Sequence, residues 1–163
     1  MTALLAIRAD AVNFPLFIHV LGAMLLVGTL LAVASAILLG WRPTDPERSA
    51  ALTRFGLWTL IAGVLPSYIL MRVGAQWTES EEFGDLEGTA KEAFEDSWWV
   101  GIGYITADIG AVLIIVSIVL SIIGLRRLRA GKGIGLGRAV GVISVLLLAA
   151  YIVAVWAMTT KPV

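Results

Sequence analysis

The amino-acid sequence predicts an all-α protein: a four-helix transmembrane bundle, up-down-up-down, with both termini outside. The composition is the first observation, because 59% of the 163 residues are hydrophobic and 15% are charged, whereas soluble domains carry about 25% charged residues. Four apolar segments also reach the length of about 20 residues that a helix needs to cross a bilayer. Finally, basic residues are concentrated in two of the connections, which orients the bundle.

The four spans are predicted at about 15–40, 55–75, 98–124 and 139–160, within one transmembrane domain of residues 1–163. Helix is the expected structure of each span because lipid cannot satisfy open backbone groups. Pro15 suits the start of the first helix, where its missing N–H costs nothing. Pro66 lies inside the second span and is expected to kink that helix.

Charge differs strongly between the connections. The first and third hold eight basic residues, namely Arg42, Arg48, Arg54, Arg126, Arg127, Arg129, Lys132 and Arg138. The positive-inside rule places these two connections in the cytoplasm and both termini outside, and tryptophans near both predicted interfaces agree. We therefore expect a multi-pass protein of a bacterial-type plasma (inner) membrane.

The second connection, residues 76–97, is predicted to be an acidic outer loop. It contains eight acidic residues and one lysine. Phe83, Leu86, Ala90 and Phe94 recur at helical spacing, which favours a short amphipathic surface helix within the loop. We expect a solvated loop, and the alternative is that its acidity recruits a cation or a basic partner.

Ionisable side chains inside the spans are the first candidates for function, because each costs about 2.5–3.5 kcal/mol to insert into a membrane. They are His19, Arg72 and Asp108. Tyr68 lies one helical turn from Arg72, and Tyr104 lies one turn from Asp108. These five residues predict one polar pocket that opens to the outside. The alternative is a polar clamp between helices that has no further function.

His19 is the only histidine, and the chain has no cysteine. An imidazole in an apolar helix can be an axial ligand of haem b or a ligand of copper. It can also simply bond a neighbouring side chain or carbonyl. One histidine cannot supply both axial ligands, so an intramolecular bis-histidine haem is excluded. We expect no cofactor, with haem b or copper at His19 as the alternative.

Small residues mark the faces at which helices are expected to pack. They are Gly22 and Gly28 in the first span, and Gly103, Ala107 and Gly110 in the third. Such residues let membrane helices approach closely.

The segment IHVLGAMLLVG, which contains His19, Gly22 and Gly28, resembles the first span of small bacterial four-helix integral membrane proteins of unknown function. These proteins are distantly similar to the copper-resistance protein D family. The resemblance implies a site at His19 that faces the periplasm and takes copper or haem.

The sequence contains no nucleophile–base pair, metal cluster or cofactor motif, so we expect no enzyme activity. The predicted function is that of a non-enzymatic accessory, scaffold or self-associating subunit with an outward-facing polar pocket. The expected partners are the lipid bilayer and a homo-oligomer or larger membrane complex, and no nucleic acid. The alternatives are a haem- or copper-binding protein that uses His19, and a small proton-coupled carrier that uses Asp108 and Arg72.

Overall fold

The computed structural model describes residues 10–41, 46–84, 88, 96–133 and 135–159. Throughout these residues the regular structure is helical, with no strand. The helices are α1 (Asp10–Leu39), α2 (Pro46–Thr59), α3 (Leu65–Phe83), α4 (Trp98–Arg129) and α5 (Gly135–Thr159), and a π-helical turn at Leu60–Val64 joins α2 to α3. The predicted all-α four-helix bundle is confirmed.

Four helical segments are long and apolar enough to cross a membrane, which fits a multi-pass membrane protein. They are Ala11–Leu39, Glu47–Glu82, Trp98–Arg129 and Gly135–Thr159. The second predicted span lies within a helical segment that is longer at both ends and runs for 36 residues. Charged residues at helix ends, such as Arg48 and Glu81, keep a helical backbone while their side chains extend toward water.

Pro15 and Pro66 both lie within helical segments. Pro15 does not begin α1 as predicted, because residues 10–14 are already helical. Near Pro66 the helix widens, and the N–H of Leu65 donates to the carbonyl of Leu60, five residues earlier. A proline ring crowds the carbonyl four residues before it and lacks an N–H. The distortion predicted at Pro66 therefore takes the form of a π-helical turn just before it.

The bundle has two ends of different composition, named here for their charge. The acidic end is where α1 and α4 begin, beside the acidic connection 76–97, and the basic end carries the connections 40–45 and 130–134. At the acidic end α1 packs closely against α3, since Gly22 lies against the backbone of Met71 and Gly74 against the backbone of His19. These two helices form the first antiparallel pair.

The second antiparallel pair consists of α4 and α5. At the acidic end Gly103 lies against the side chain of Met158, and Gly110 lies against the ring and hydroxyl of Tyr151. Between the two pairs, however, α3 makes few contacts with α4, whereas α2 packs well against α4. The pairs therefore separate toward the acidic end.

The pairs meet in the basic half of the bundle. There Gly141 of α5 lies against Ile37 and Trp41 at the end of α1. Buried apolar side chains from α1, the π-helical turn and α5, including Val33, Leu60 and Val140, fill the space between them. The core thus joins the two pairs at one end and leaves a cleft between them at the other.

Most, but not all, of the small residues predicted at packing faces lie against a neighbouring helix. Gly22, Gly103 and Gly110 lie against neighbouring helices, and Ala107 is buried. The prediction for Gly28 was wrong, because a methyl group there would meet nothing within 4 Å. Gly28 faces the cleft, where the two helix pairs have already separated.

Candidate functional site

A cavity of about 930 Å³ occupies the cleft. Its wall comes from α1, α3, α4 and α5, it lies in the acidic half of the bundle, and it is mainly apolar. Packed protein interiors leave few voids larger than a water molecule, whereas small-molecule sites span about 300–1,000 Å³. The volume therefore exceeds that of an ordinary packing void and falls within the range of small-molecule sites.

His19 lines the cavity and is anchored to α3. Its Nδ1 atom lies 2.9 Å from the backbone carbonyl oxygen of Met71. A carbonyl oxygen only accepts hydrogen bonds, so Nδ1 carries the proton and donates. In the neutral imidazole the lone pair then belongs to Nε2. The close approach of the helices depends on Gly74, which lies against the backbone of His19.

Arg72 bridges the two helix pairs. Its guanidinium Nη2 atom lies 3.1 Å from Oδ1 of Asp108, which joins α3 to α4. The same guanidinium lies over the ring of Tyr104, 5.0 Å from the ring centroid. Arg72 and Tyr104 both line the cavity. The ion pair thus closes part of the gap between α3 and α4.

Two of the five residues predicted to form the polar pocket do not line the cavity. Asp108 was predicted inside it, but its side chain is 67% exposed; the long side chain of Arg72 reaches across to it. Tyr68 packs against the hydrophobic core. The structure therefore brings together His19, Arg72 and Tyr104, and this correction leaves Asp108 and Tyr68 outside the cavity wall.

Two glutamates on the wall were missed by sequence reasoning. Helix α3 continues to Phe83, so Glu79 and Glu82 line the cavity, whereas both were assigned to the acidic loop. The hydroxyl of Tyr104 donates a hydrogen bond to the Glu79 carboxylate. The sequence spacing could have indicated Glu79, because it follows Arg72 by two helical turns and therefore lies on the same face of the helix.

The predicted amphipathic helix between Phe83 and Phe94 falls largely outside the described residues. Within the described part of this region, Glu81 differs from its neighbours Glu79 and Glu82. It does not line the cavity, and it accepts a hydrogen bond of 3.2 Å from Nε1 of Trp77. The acidic residues at the end of α3 therefore divide between the cavity wall and the outer face of the helix.

Tyr151 of α5 was also missed, although it is the only tyrosine of the fourth span. It lines the cavity and is 4% exposed. Its hydroxyl oxygen is buried without a hydrogen-bond partner among the described residues. A buried hydroxyl in this state costs about 1–3 kcal/mol, so Tyr151 is an unsatisfied polar group on a mainly apolar wall.

The cavity wall includes soft side chains that can bind a metal ion. Within the described ranges, no three His, Asp or Glu side chains lie close enough together to hold a metal ion. Met24, Met71 and Met158, however, line the same cavity as His19. Thioether and imidazole groups suit Cu(I) better than hard cations. The chemistry of these donors fits copper in its reduced state.

Comparisons of the chain with protein-family models, with curated proteins and with solved structures found no match. The resemblance to the copper-resistance protein D family, based on His19, Gly22 and Gly28, therefore stays a prediction. The function has to be inferred from the geometry of the cavity.

Proposed function

We propose that the protein is a non-enzymatic membrane subunit that binds a small ligand in the cavity between its two helix pairs. The observation that carries the proposal is the cavity itself, about 930 Å³ in volume and mainly apolar. Its few charged and polar groups include His19, Arg72 and Glu79. A mainly apolar wall with a few placed polar groups is the usual composition of a small-molecule site.

We further infer that the acidic end faces the outside of a bacterial-type plasma membrane. Support comes from the eight basic residues at the opposite end of the bundle, which lie in the two connections and in the adjoining turns of the helices. Positive charge accumulates on the cytoplasmic side of a membrane protein. In this orientation both termini lie outside and the cleft opens outward. The ligand then enters from the external medium or from the outer leaflet.

The proposal is tested by filling the cavity. In Ala75→Trp an indole projects from a position on the cavity wall, while Val73→Trp places the same indole at an exposed site on the same helix. Native mass spectrometry of the detergent-purified proteins then measures co-purified small molecules. We expect a bound molecule in the wild-type and Val73→Trp proteins and its loss in Ala75→Trp. Equal occupancy in all three would contradict the proposal.

A haem or copper centre at His19 is the second candidate. It is favoured by the hydrogen bond from Nδ1 to the Met71 carbonyl, because metal-bound histidines commonly donate their other ring N–H to such a group. Copper would be held by His19 with methionine sulfurs of the same wall, and haem iron would take His19 as one axial ligand. An absorption spectrum with metal analysis, repeated on His19→Ala, tests this candidate. Absence of both a Soret band and copper after growth with haem precursor and copper would overturn it.

The proton-coupled carrier that uses Asp108 and Arg72, and the homo-oligomer or larger membrane complex, stay predictions. For the carrier, Asp108→Asn should abolish pH-dependent transport.

A further inference from the structure

We propose that the ligand of the cavity is a lipophilic organic cation, that is, a molecule with apolar groups around one positive centre. This inference rests on the proposed function and names its ligand class. The apolar wall would hold the body of such a molecule, and the charged residues of the wall determine which sign of charge it carries.

The charges of the wall favour a positive ligand. Glu79 and Glu82 contribute two carboxylates, and Arg72 contributes the only guanidinium among the lining residues. That guanidinium is already paired with Asp108 at 3.1 Å, and Asp108 does not line the cavity. The positive charge of Arg72 is therefore largely compensated, whereas Glu79 accepts a hydrogen bond from the neutral hydroxyl of Tyr104, so its carboxylate adds negative charge to the wall.

Aromatic side chains add a second attraction for cations. Trp99 and Tyr104 both line the cavity, and the faces of such rings attract positive groups within about 6 Å. The ring of Tyr104 already carries one cation, because the Arg72 guanidinium lies 5.0 Å from its centroid. A wall with carboxylates next to aromatic rings is suited to a cation that is only weakly hydrated.

The end of α3 acts in the same direction. Glu79, Glu81 and Glu82 all lie in the last turns of this helix. A negative region beside a low-dielectric cleft raises the local concentration of cations. A basic polypeptide would use the carboxylates but would leave most of the apolar wall without a contact. The apolar cavity thus favours a small lipophilic cation over a basic polypeptide.

The experiment uses two probes of the same shape and opposite charge, tetraphenylphosphonium and tetraphenylborate. Binding of each to the purified full-length protein is measured by equilibrium dialysis in detergent, with empty micelles subtracted. The test variant is Glu79→Gln with Glu82→Gln. The matched control is Glu81→Gln, which removes one carboxylate of the same helix that lies off the cavity wall. Ala75→Trp blocks the cavity.

We expect tetraphenylphosphonium to bind the wild-type protein at least tenfold more tightly than tetraphenylborate. In the double glutamine variant its affinity should fall by about tenfold or more, since two nearby charges are lost in a medium of low dielectric constant. The affinity for tetraphenylborate should not fall. Glu81→Gln should resemble the wild type, and Ala75→Trp should lose binding of tetraphenylphosphonium.

The outcomes separate the two proposals. If tetraphenylborate binds as tightly as tetraphenylphosphonium and Ala75→Trp abolishes both, the cavity binds ligands but the inference of a cation is wrong. If Ala75→Trp changes the binding of neither probe, the cavity is not the binding site and the proposed function fails as well. An equal loss in Glu81→Gln and in the double variant would overturn the assignment of Glu79 and Glu82.

Discussion

The Nδ1 atom of His19 donates a hydrogen bond of 2.9 Å to the backbone carbonyl oxygen of Met71. The bond joins α1 to α3 at the level where Gly22 and Gly74 bring the two backbones together. The imidazole therefore has a structural role in the first helix pair, and its Nε2 atom remains as the nitrogen for any ligand in the cavity.

Removing this hydrogen bond should weaken the first helix pair. His19→Leu keeps the bulk but has no donor, so we expect a loss of about 0.5–1.5 kcal/mol in unfolding free energy. His19→Asn offers an amide N–H at a similar position and should retain more of the stability. Unfolding in detergent, followed by tryptophan fluorescence, measures both. A leucine variant as stable as the wild type would show that the hydrogen bond contributes nothing.

Two glycines of α1 should respond oppositely to alanine. In Gly22→Ala the new methyl group would collide with the backbone of Met71, and overpacking of this kind costs about 1–3 kcal/mol. In Gly28→Ala the methyl group meets nothing within 4 Å, so stability should be unchanged or rise by up to about 1 kcal/mol through helix propensity. Thermal unfolding of the two variants checks this. Equal destabilisation would contradict the assignment of Gly22 to the helix contact.

Tyr151 and Gly110 should be energetically coupled. Tyr151→Phe removes a buried hydroxyl without a described partner, so we expect the protein to gain about 1 kcal/mol in stability. Gly110→Ala should destabilise it, because the methyl group would collide with that hydroxyl. The double variant should recover a large part of the loss. A double-mutant cycle measures the coupling, and strictly additive effects would exclude it.

The Arg72–Asp108 pair should contribute modestly to stability. Its side chains are 24% and 67% exposed, so Asp108→Asn should cost about 1 kcal/mol or less. Exchange of the two residues, Arg72→Asp with Asp108→Arg, should be more stable than either single reversal of charge. Unfolding of the four proteins in low salt tests this. If the exchange variant lost as much unfolding free energy as the two single reversals together, the pair would not be formed.

The spans could be predicted from the sequence because a membrane requires uninterrupted apolar runs, and such runs are visible in composition alone. Part of the cavity wall was also predictable. Arg72 and Tyr104 are ionisable or polar residues at helical spacing in apolar spans, and His19 stands alone in its helix. The cost of burying such groups in lipid predicts that they face one another.

The remaining features depend on how far the helices extend and separate. Glu79 and Glu82 reach the cavity because α3 continues beyond its apolar run, and a hydropathy pattern does not record that continuation. Gly28 has the small-residue spacing of a packing face, yet it faces the cleft. Spacing alone does not say which neighbour a face will meet. The cleft arises from the separation of two helix pairs, which only the three-dimensional contacts reveal.

The central claim, a cleft that opens to the outside, is tested most directly by cysteine accessibility at two adjacent residues. The chain has no cysteine, so Thr106→Cys and Ile105→Cys each carry a single thiol. Thr106 lines the cavity, whereas Ile105 does not and is 61% exposed on the outside of the bundle, a position that we expect to face lipid. A membrane-impermeant methanethiosulfonate reagent is added to the outer side of intact cells. We predict modification of Thr106→Cys at least tenfold faster than that of Ile105→Cys. Equal rates, or modification of Thr106→Cys only from the cytoplasmic side of inverted vesicles, would contradict the account.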